Sequence, residues 1–277
     1  MTFKNFCLST IFFCAAFISN AQTDSPDKSL GTGYIENTAS AQNEKPDDKV
    51  PGRTLNVFKV NLTGLVMKNY AFQYERVLNK RVALALQYRI MPTTGIPFKQ
   101  TILKAMEDED PDTRKIIDEF RMSNYAITPE VRFYLSRKGY GRGFYIAPFY
   151  RYASFTSNDL NVFYTDEFNT EHSIKMNGKL TSNTVGLLLG VQSNLGKHVV
   201  LDISFFGPHY GAGNGNFKGT SSQPLSQSEQ DDLRQQLEDM EIPLTRKTVT
   251  VNANGAMLDL DGPWGGYRFA ISLGVRF

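Results

Sequence analysis

The sequence predicts an all-β fold, an antiparallel up-and-down barrel of about eight strands with short helices in its long outer loops. Three observations predict it. Apolar residues alternate with small or charged ones in eight separate segments, the connections between segments are alternately short and long, and the last segment keeps its alternation up to residue 277. A period of two puts one set of side chains on each face of a strand, and no helix divides a sequence that way.

The last segment is the clearest. Tyr267, Phe269, Ile271, Leu273, Val275 and Phe277 form one face, and Gly266, Arg268, Ala270, Ser272, Gly274 and Arg276 form the other. Residues 82–90 set Val82, Leu84, Leu86, Tyr88 and Ile90 against Ala83, Ala85, Gln87 and Arg89. Residues 125–136 set Tyr125, Ile127, Val131 and Phe133 against Thr128, Glu130, Arg132 and Tyr134. Weaker alternation marks 55–67, 70–78, 142–156, 180–195 and 197–209. In 142–156 the aromatics Phe144, Tyr145, Phe149, Tyr150 and Tyr152 fall on both faces, which a bulge near Pro148 would reconcile.

Connections at Asn79-Lys80, 137–141 and Gly196-Lys197 are short, whereas those over 92–123, 157–179 and 210–263 are long. Short turns at one end and long loops at the other characterise barrels of bacterial outer membranes. Lys68-Asn69 departs from this, since it makes the first outer loop a tight turn.

The start of the chain predicts export. Lys4, the apolar run 7–18 and the small residues of Ser19-Asn20-Ala21 have the layout of a signal peptide over 1–21. Residues 22–53 are polar and aperiodic, a disordered periplasmic tail, and 54–277 are the barrel. Cys7 and Cys14 both lie in the removed segment, so the mature chain has no thiol or disulfide. Loss of Lys4 takes the formal charge from +2 to +1; near-neutrality with 12% aromatics argues against nucleic acid as a partner. No later stretch reaches the roughly 20 apolar residues of a spanning helix.

Alternation alone does not say which face is inside. The minor face is mainly Gly, Ala, Ser and Thr, interrupted by Lys59, Glu75, Arg89, Glu130, Arg132, Asp202, Arg268 and Arg276. An eight-stranded barrel has room only for modest side chains and a few paired charges, so this set suits its interior. The bulky face then meets lipid, and the fold is a transmembrane barrel in the outer membrane rather than a secreted lipocalin-like barrel or sandwich. Glu75 and Glu130 are expected to pair with Arg89, Arg132 or Arg276 and plug the lumen. Trp264, Tyr267 and Phe277 are expected at the membrane interfaces, where amphipathic rings are favoured.

The segments Lys59-Val60-Asn61-Leu62, Tyr74-Glu75-Arg76, Pro129-Glu130-Val131-Arg132-Phe133-Tyr134, Gly143-Phe144-Tyr145 and Gly274-Val275-Arg276-Phe277 resemble those of Bacteroidota outer-membrane β-barrels in a domain family of unknown function. The resemblance covers 55–277 in pattern, although the helical insert after Pro97 and the long last loop are unlike the simplest members. It implies a barrel whose last strand, ending at Phe277, is read by the barrel-assembly machinery, and it implies no activity.

The histidines do not compose a catalytic site. His172 is followed by Ser173 in a polar loop, and His198 sits solvated in a short turn. His209 shares parity with Val199, Leu201, Ile203 and Phe205 and should point outward, so pairing it with Ser204 or Asp202 would need a break at Pro208. Gly211, Gly213 and Gly215 lack the helix of a phosphate loop and read as a flexible rim loop. Residues 99–121 and 226–240 look helical, the second with Ser228 and Asp231 in capping-box-like spacing and Leu233, Leu237 and Met240 on one face. Both helices are acidic, through 107–110 with Asp112 and through Glu229, Asp231, Asp232, Glu238 and Asp239, yet neither has the glycine of a calcium loop.

No catalytic residue, metal or cofactor is therefore expected. The first reading is a non-enzymatic barrel in contact with outer-membrane lipid, with a structural or surface-interaction role and acidic outer loops that present a surface for a ligand. The rivals are a narrow pore for small solutes or ions and a rim enzyme acting on lipid.

Overall fold

The computed structural model describes residues 55–96, 99–100, 111–137, 139–168, 170–240, 242 and 244–277. The expected signal peptide, the tail and the acidic run 107–110 lie outside them. In chain order the elements are β1 (Asn56–Asn61), α1 (Leu62–Leu65), β2 (Tyr70–Val77), β3 (Val82–Thr94), α2 (Pro111–Glu119), β4 (Arg121–Tyr134), β5 (Gly143–Thr165), β6 (Glu171–Leu195), β7 (Val199–Phe206), β8 (Pro208–Thr220), α3 (Gln227–Asp239), β9 (Arg246–Asn252), β10 (Gly255–Tyr267) and β11 (Ala270–Arg276).

All pairings are antiparallel, and eight strands close a ring in the order β1-β2-β3-β4-β5-β6-β7-β11. The closing pair is β11 with β1, from Val57 opposite Arg276 to Asn61 opposite Ser272. The turns 78–81, 135–142 and 196–198 lie at one end of the ring, here called the lower end, together with residues 55 and 277. The eight segments expected from the alternation are these eight strands.

The upper end differs from a set of loops. β5 and β6 run 23 and 25 residues and stay paired as a hairpin to Thr165 opposite Glu171, so the expected loop over 157–179 is strand. β8 continues β7 upward and pairs with β6, β10 pairs with β8, and β9 adds the outermost strand. These strands carry a second sheet beyond the ring, and the glycines at 211, 213 and 215 belong to it rather than to a flexible rim.

Strand breaks explain the remaining differences. Residues 55–67 are not one strand, because the Asn61 Oδ1 accepts from the amides of Thr63 at 3.0 Å and Gly64 at 3.3 Å and starts α1. Gly64 must be small, since a Cβ there would lie 2.3 Å from the Asn69 carbonyl oxygen. β5 is regular through Pro148, and its register shift falls between Ser157 and Leu160, beside Asp159 at φ 56°. Up to that point Tyr145, Ala147, Phe149, Arg151, Ala153 and Phe155 face inward; beyond it Leu160, Val162 and Tyr164 do. A register shift between Leu189 and Gly190, opposite Ser204 to Phe206, similarly turns His209 from the expected outward face to the interior.

Two cores fill the molecule. In the extension, α3 lays Leu233, Leu237 and Met240 against Leu160, Ile174, Met176, Phe217, Leu258 and Leu260. Full burial of a leucine contributes about 1.5–3 kcal/mol relative to exposure, so this helix is held by its apolar face. Its start is a capping box of Ser226 and Glu229, two residues earlier than the spacing of Ser228 and Asp231 suggested. In the ring, Val77, Ala83, Tyr134, Tyr145, Ala147, Phe149 and Leu188 pack around the charged lining. Gly190 makes room there, because a Cβ would meet the Tyr145 hydroxyl at 2.4 Å. No helix among the described residues is long and apolar enough to cross a membrane, which says nothing of strands.

Candidate functional site: a charged barrel interior

The residues singled out as lining do line the ring. Lys59, Glu75, Arg89, Glu130, Arg132, Asp202, Arg268 and Arg276 are all less than a tenth exposed, seven of them on strands whose opposite face is open and Arg268 in the link between β10 and β11. Parity puts them there: each falls on the face opposite Phe58, Tyr74, Tyr88, Phe133, Leu273 or Val275, which are exposed.

In the lower lumen the charges are matched. The Lys59 ammonium donates to Glu75 Oε2 at 2.5 Å, to Asp202 Oδ2 at 2.6 Å and to Gln192 Oε1. Arg132 donates to Asp202 Oδ2 at 2.6 Å, to Glu75 Oε2 at 3.2 Å and to Glu130 Oε2 at 3.1 Å. The Tyr134 hydroxyl donates to Glu75 at 2.8 Å and that of Tyr145 to Asp202 at 2.9 Å, while the Arg132 guanidinium lies 4.4 Å over the Tyr145 ring. Six strands, β1, β2, β4, β5, β6 and β7, contribute to this knot, which spans the lumen. Buried pairs of this kind repay their desolvation only when every partner is in place.

The expected pairing was half right. Glu75 and Glu130 do pair with Arg132, but their other partners are Lys59 and Arg268. Arg276 instead donates to the backbone carbonyls of Tyr140 at 2.8 Å and Gly141 at 3.0 Å, fastening the lower turn. Among the described residues Arg89 makes no ion pair, and its Nε and Nη2 have no hydrogen-bond partner. Its height in the ring explains this, for it lies opposite Ala71 and Ala126, above the carboxylates.

The alternation puts Gln87 on the minor face and leaves Tyr145 undecided; Arg151, Gln73, Gln192 and the inward turn of His209 escape it. Arg151 carried a usable signal: it is the only charge between Gly143 and Asn158, and a lone charge in an otherwise uncharged strand marks the inner face. His209 carried none, because its orientation depends on a register shift.

Of the expected interface aromatics, Tyr267 is partly exposed beside Phe206, and Phe277 is 54% exposed at the lower end. Trp264 is a correction. Its even number puts it on the inward face with Arg268, and its ring packs 5.6 Å from Phe155 against the core of the extension.

His172 lies in the β5–β6 hairpin rather than in a loop, its ring stacked on Tyr164 and its Nε2 3.3 Å from Asp166. The Asp166 carboxyl sits below its usual range, chiefly because the Thr170 backbone donates to it. His198 is exposed in its turn, as expected. Among the described residues no cluster of His, Cys, Asp and Glu could hold a metal. The acidic face of α3 is partly consumed by the fold: Glu229 caps the helix, Asp231 pairs with Arg234, and Asp232 accepts from the Thr165 amide at 2.7 Å.

No protein-family model and no curated protein matches the chain. A similar solved structure is the crystal structure of Acinetobacter baumannii CarO, with 13% sequence identity and a TM-score of 0.34, covering 81% of this chain and 97% of that chain.

Proposed function

We propose that the chain is a plugged outer-membrane barrel of eight transmembrane strands, of the kind found in Bacteroidota, with a structural or surface-interaction role and no catalysis. The observation that carries this is an inversion along single strands. On β6 the outward residues are Lys175, Asn177, Lys179, Thr181 and Asn183, and then Val185, Leu187, Leu189, Val191, Ser193 and Leu195; the buried inward residues change in the opposite sense, from Ile174, Met176 and Leu180 to Ser182, Thr184, Gly190 and Gln192, with Leu188 the apolar exception. The apolar outer stretch is about eleven residues, the length with which a tilted strand crosses hydrocarbon. Apart from Phe168 and Leu244 in upper turns, every exposed large apolar residue among the described residues belongs to the ring strands, their turns or the base of β8. Outward tyrosines gather at the upper limit of the band, at Tyr70, Tyr88, Tyr125, Tyr150, Tyr152 and Tyr210, where a membrane interface would want them.

The extension then stands outside the cell, and its roof of α3 with the remaining acidic residues Glu238 and Asp239 is the surface offered to a ligand. The last strand, ending at Phe277, is the segment offered to the assembly machinery. The Lys59, Arg132 and Asp202 knot favours a blocked lumen over a pore. Ser204 and Asp202, the partners a catalytic His209 would need, are already engaged with Ala270 and with Lys59 and Arg132.

A heat-modifiability gel on outer-membrane fractions tests the placement, with a faster-migrating unboiled form expected; absence of the protein from that fraction overturns it. Planar-bilayer recording of the purified protein is expected to give no stable openings, and discrete channels would replace the plug with a pore.

A further inference from the structure

We propose that the upper lumen is an anion site, in which Arg89, Arg151 and Arg268 converge on a small cavity that takes a compact free oxyanion of phosphate size or smaller. The three arginines are 6%, 4% and 8% exposed and line a common cavity of about 40 Å³ beneath α1, together with Asn61, Thr63 and Asn69. They are mutual electrostatic neighbours: Arg268 acts on Arg89, and both act on Arg151.

The charge is not balanced from within. Among the described residues the buried carboxylates are Glu75, Glu130 and Asp202, of which Glu75 and Asp202 are occupied by Lys59 and Arg132 in the lower knot. Glu130 alone faces the upper arginines. Its Oε2 already accepts from Arg132 and Gln73, and its Oε1 accepts from Arg268 at 2.6 Å. That leaves Arg89 Nε and Nη2, Arg151 Nη2 and Arg268 Nη1 buried with no hydrogen-bond partner, and both ring nitrogens of the adjoining His209 are in the same position.

A buried charge is tolerated when paired and hydrogen-bonded. Water in the cavity would satisfy the N–H groups and leave the positive charge uncompensated, whereas an oxyanion supplies both. A site needs about 10–15 Å³ to hold one water, so this cavity accepts about three waters or one compact anion and excludes a lipid headgroup. Guanidinium forks match the oxygen spacing of phosphate and carboxylate better than they match a halide. The inference goes beyond the plugged barrel and does not depend on lipid outside the ring, because the site lies on the inner face.

The test uses the full mature chain folded in detergent micelles and titrated calorimetrically with inorganic phosphate, then with chloride at matched ionic strength. Phosphate is expected to bind and chloride to bind at least about tenfold more weakly. Arg89→Met and Arg151→Met each remove an unpaired charge, so both should fold and lose phosphate affinity by about thirtyfold or more, while Arg276→Met, at the lower turn, keeps it. Equal responses to phosphate and chloride, or full phosphate affinity in both upper variants, overturn the proposal. If neither variant folds, the wild-type comparison of phosphate with chloride decides it alone.

Discussion

The ring and the extension are built on the same strands and have opposite polarity. In the ring, charge is inside and oil outside: Glu75, Arg132 and Asp202 face the axis while Leu84, Leu86 and Val191 are exposed. In the extension, oil is inside and polarity outside: Phe217, Leu258 and Leu260 are buried while Asn214, Asn216 and Lys218 are exposed. β6 passes from one regime to the other near Val185 without a break in its pairing with β5, while its other edge changes partner from β8 to β7. Strand geometry on the β5 side is therefore indifferent to the exchange, and what changes is which side chains each face carries. A strand's alternation tells that its two sides differ; only their composition tells what each side touches.

Four experiments break or sharpen this contrast. The largest effect is expected inside the ring. Asp202→Leu leaves Lys59 and Arg132 buried with one carboxylate fewer, and removal of one partner from a buried pair costs about 3–5 kcal/mol. Unfolding in denaturant should register that loss, and adding Lys59→Met to the same chain should recover most of it. No recovery would mean that Asp202 acts through packing rather than charge.

The second places one residue type in the two media. Leu86→Arg puts a cation on the outer face of the ring and should cost about 2–4 kcal/mol in a bilayer if hydrocarbon lies there. Asn216→Arg, on the outer face of the extension and opposite Asp259, should stay within about 0.5 kcal/mol. Equal costs at the two sites, measured by folding into lipid vesicles, would remove the distinction between the regions.

A smaller effect is confined to the extension. Ser226→Ala deletes half of the capping box of α3 and should lower the helix's stability by about 1 kcal/mol. Faster proteolysis within 227–239, with the heat-modifiable band unchanged, would show that the extension opens independently of the ring. Loss of both together would make them a single cooperative unit.

The smallest is a pH effect. Lys175, 2.9 Å away, and Asn161 donate to Glu119 and hold its carboxyl below the ordinary value of 4.5. A carboxyl lowered on folding lends stability above its unfolded pKa and withdraws it as pH falls through the folded value. Amide exchange in α2 should therefore quicken, relative to the ring, as pH falls below about 4.5, and Glu119→Gln should abolish that dependence. Both side chains are at least a third exposed, so salt should weaken the effect.

The ring was legible because its signal repeats: in each of its eight strands the alternation reflects a surface that excludes one kind of side chain. Leu84 to Ile90 and Val131 to Phe133 could be assigned to faces from parity alone. The extension was not legible as strand, because Gly211 to Gly219 and Lys175 to Lys179 alternate polar residues with glycine or isolated apolar residues, which reads as loop until the partner strand is known. His209 and Trp264 were misplaced for different reasons. His209 lies beyond a register shift that no composition announces, whereas Trp264 obeyed parity and was sent outward by an expectation about aromatic rings. Within the candidate site, the eight lining charges were found but their partners were not, since partnership depends on height along the axis and parity fixes only direction.

The shortness of β1 has a consequence for assembly. Five residue pairs join it to β2 and five join it to β11, and the latter seam links residues more than two hundred positions apart. No other junction in the circle joins residues so far apart, so the circle cannot shut until β11 is in place. The same seam is where thermal opening would begin, and an open circle would present two unsatisfied strand edges to its surroundings.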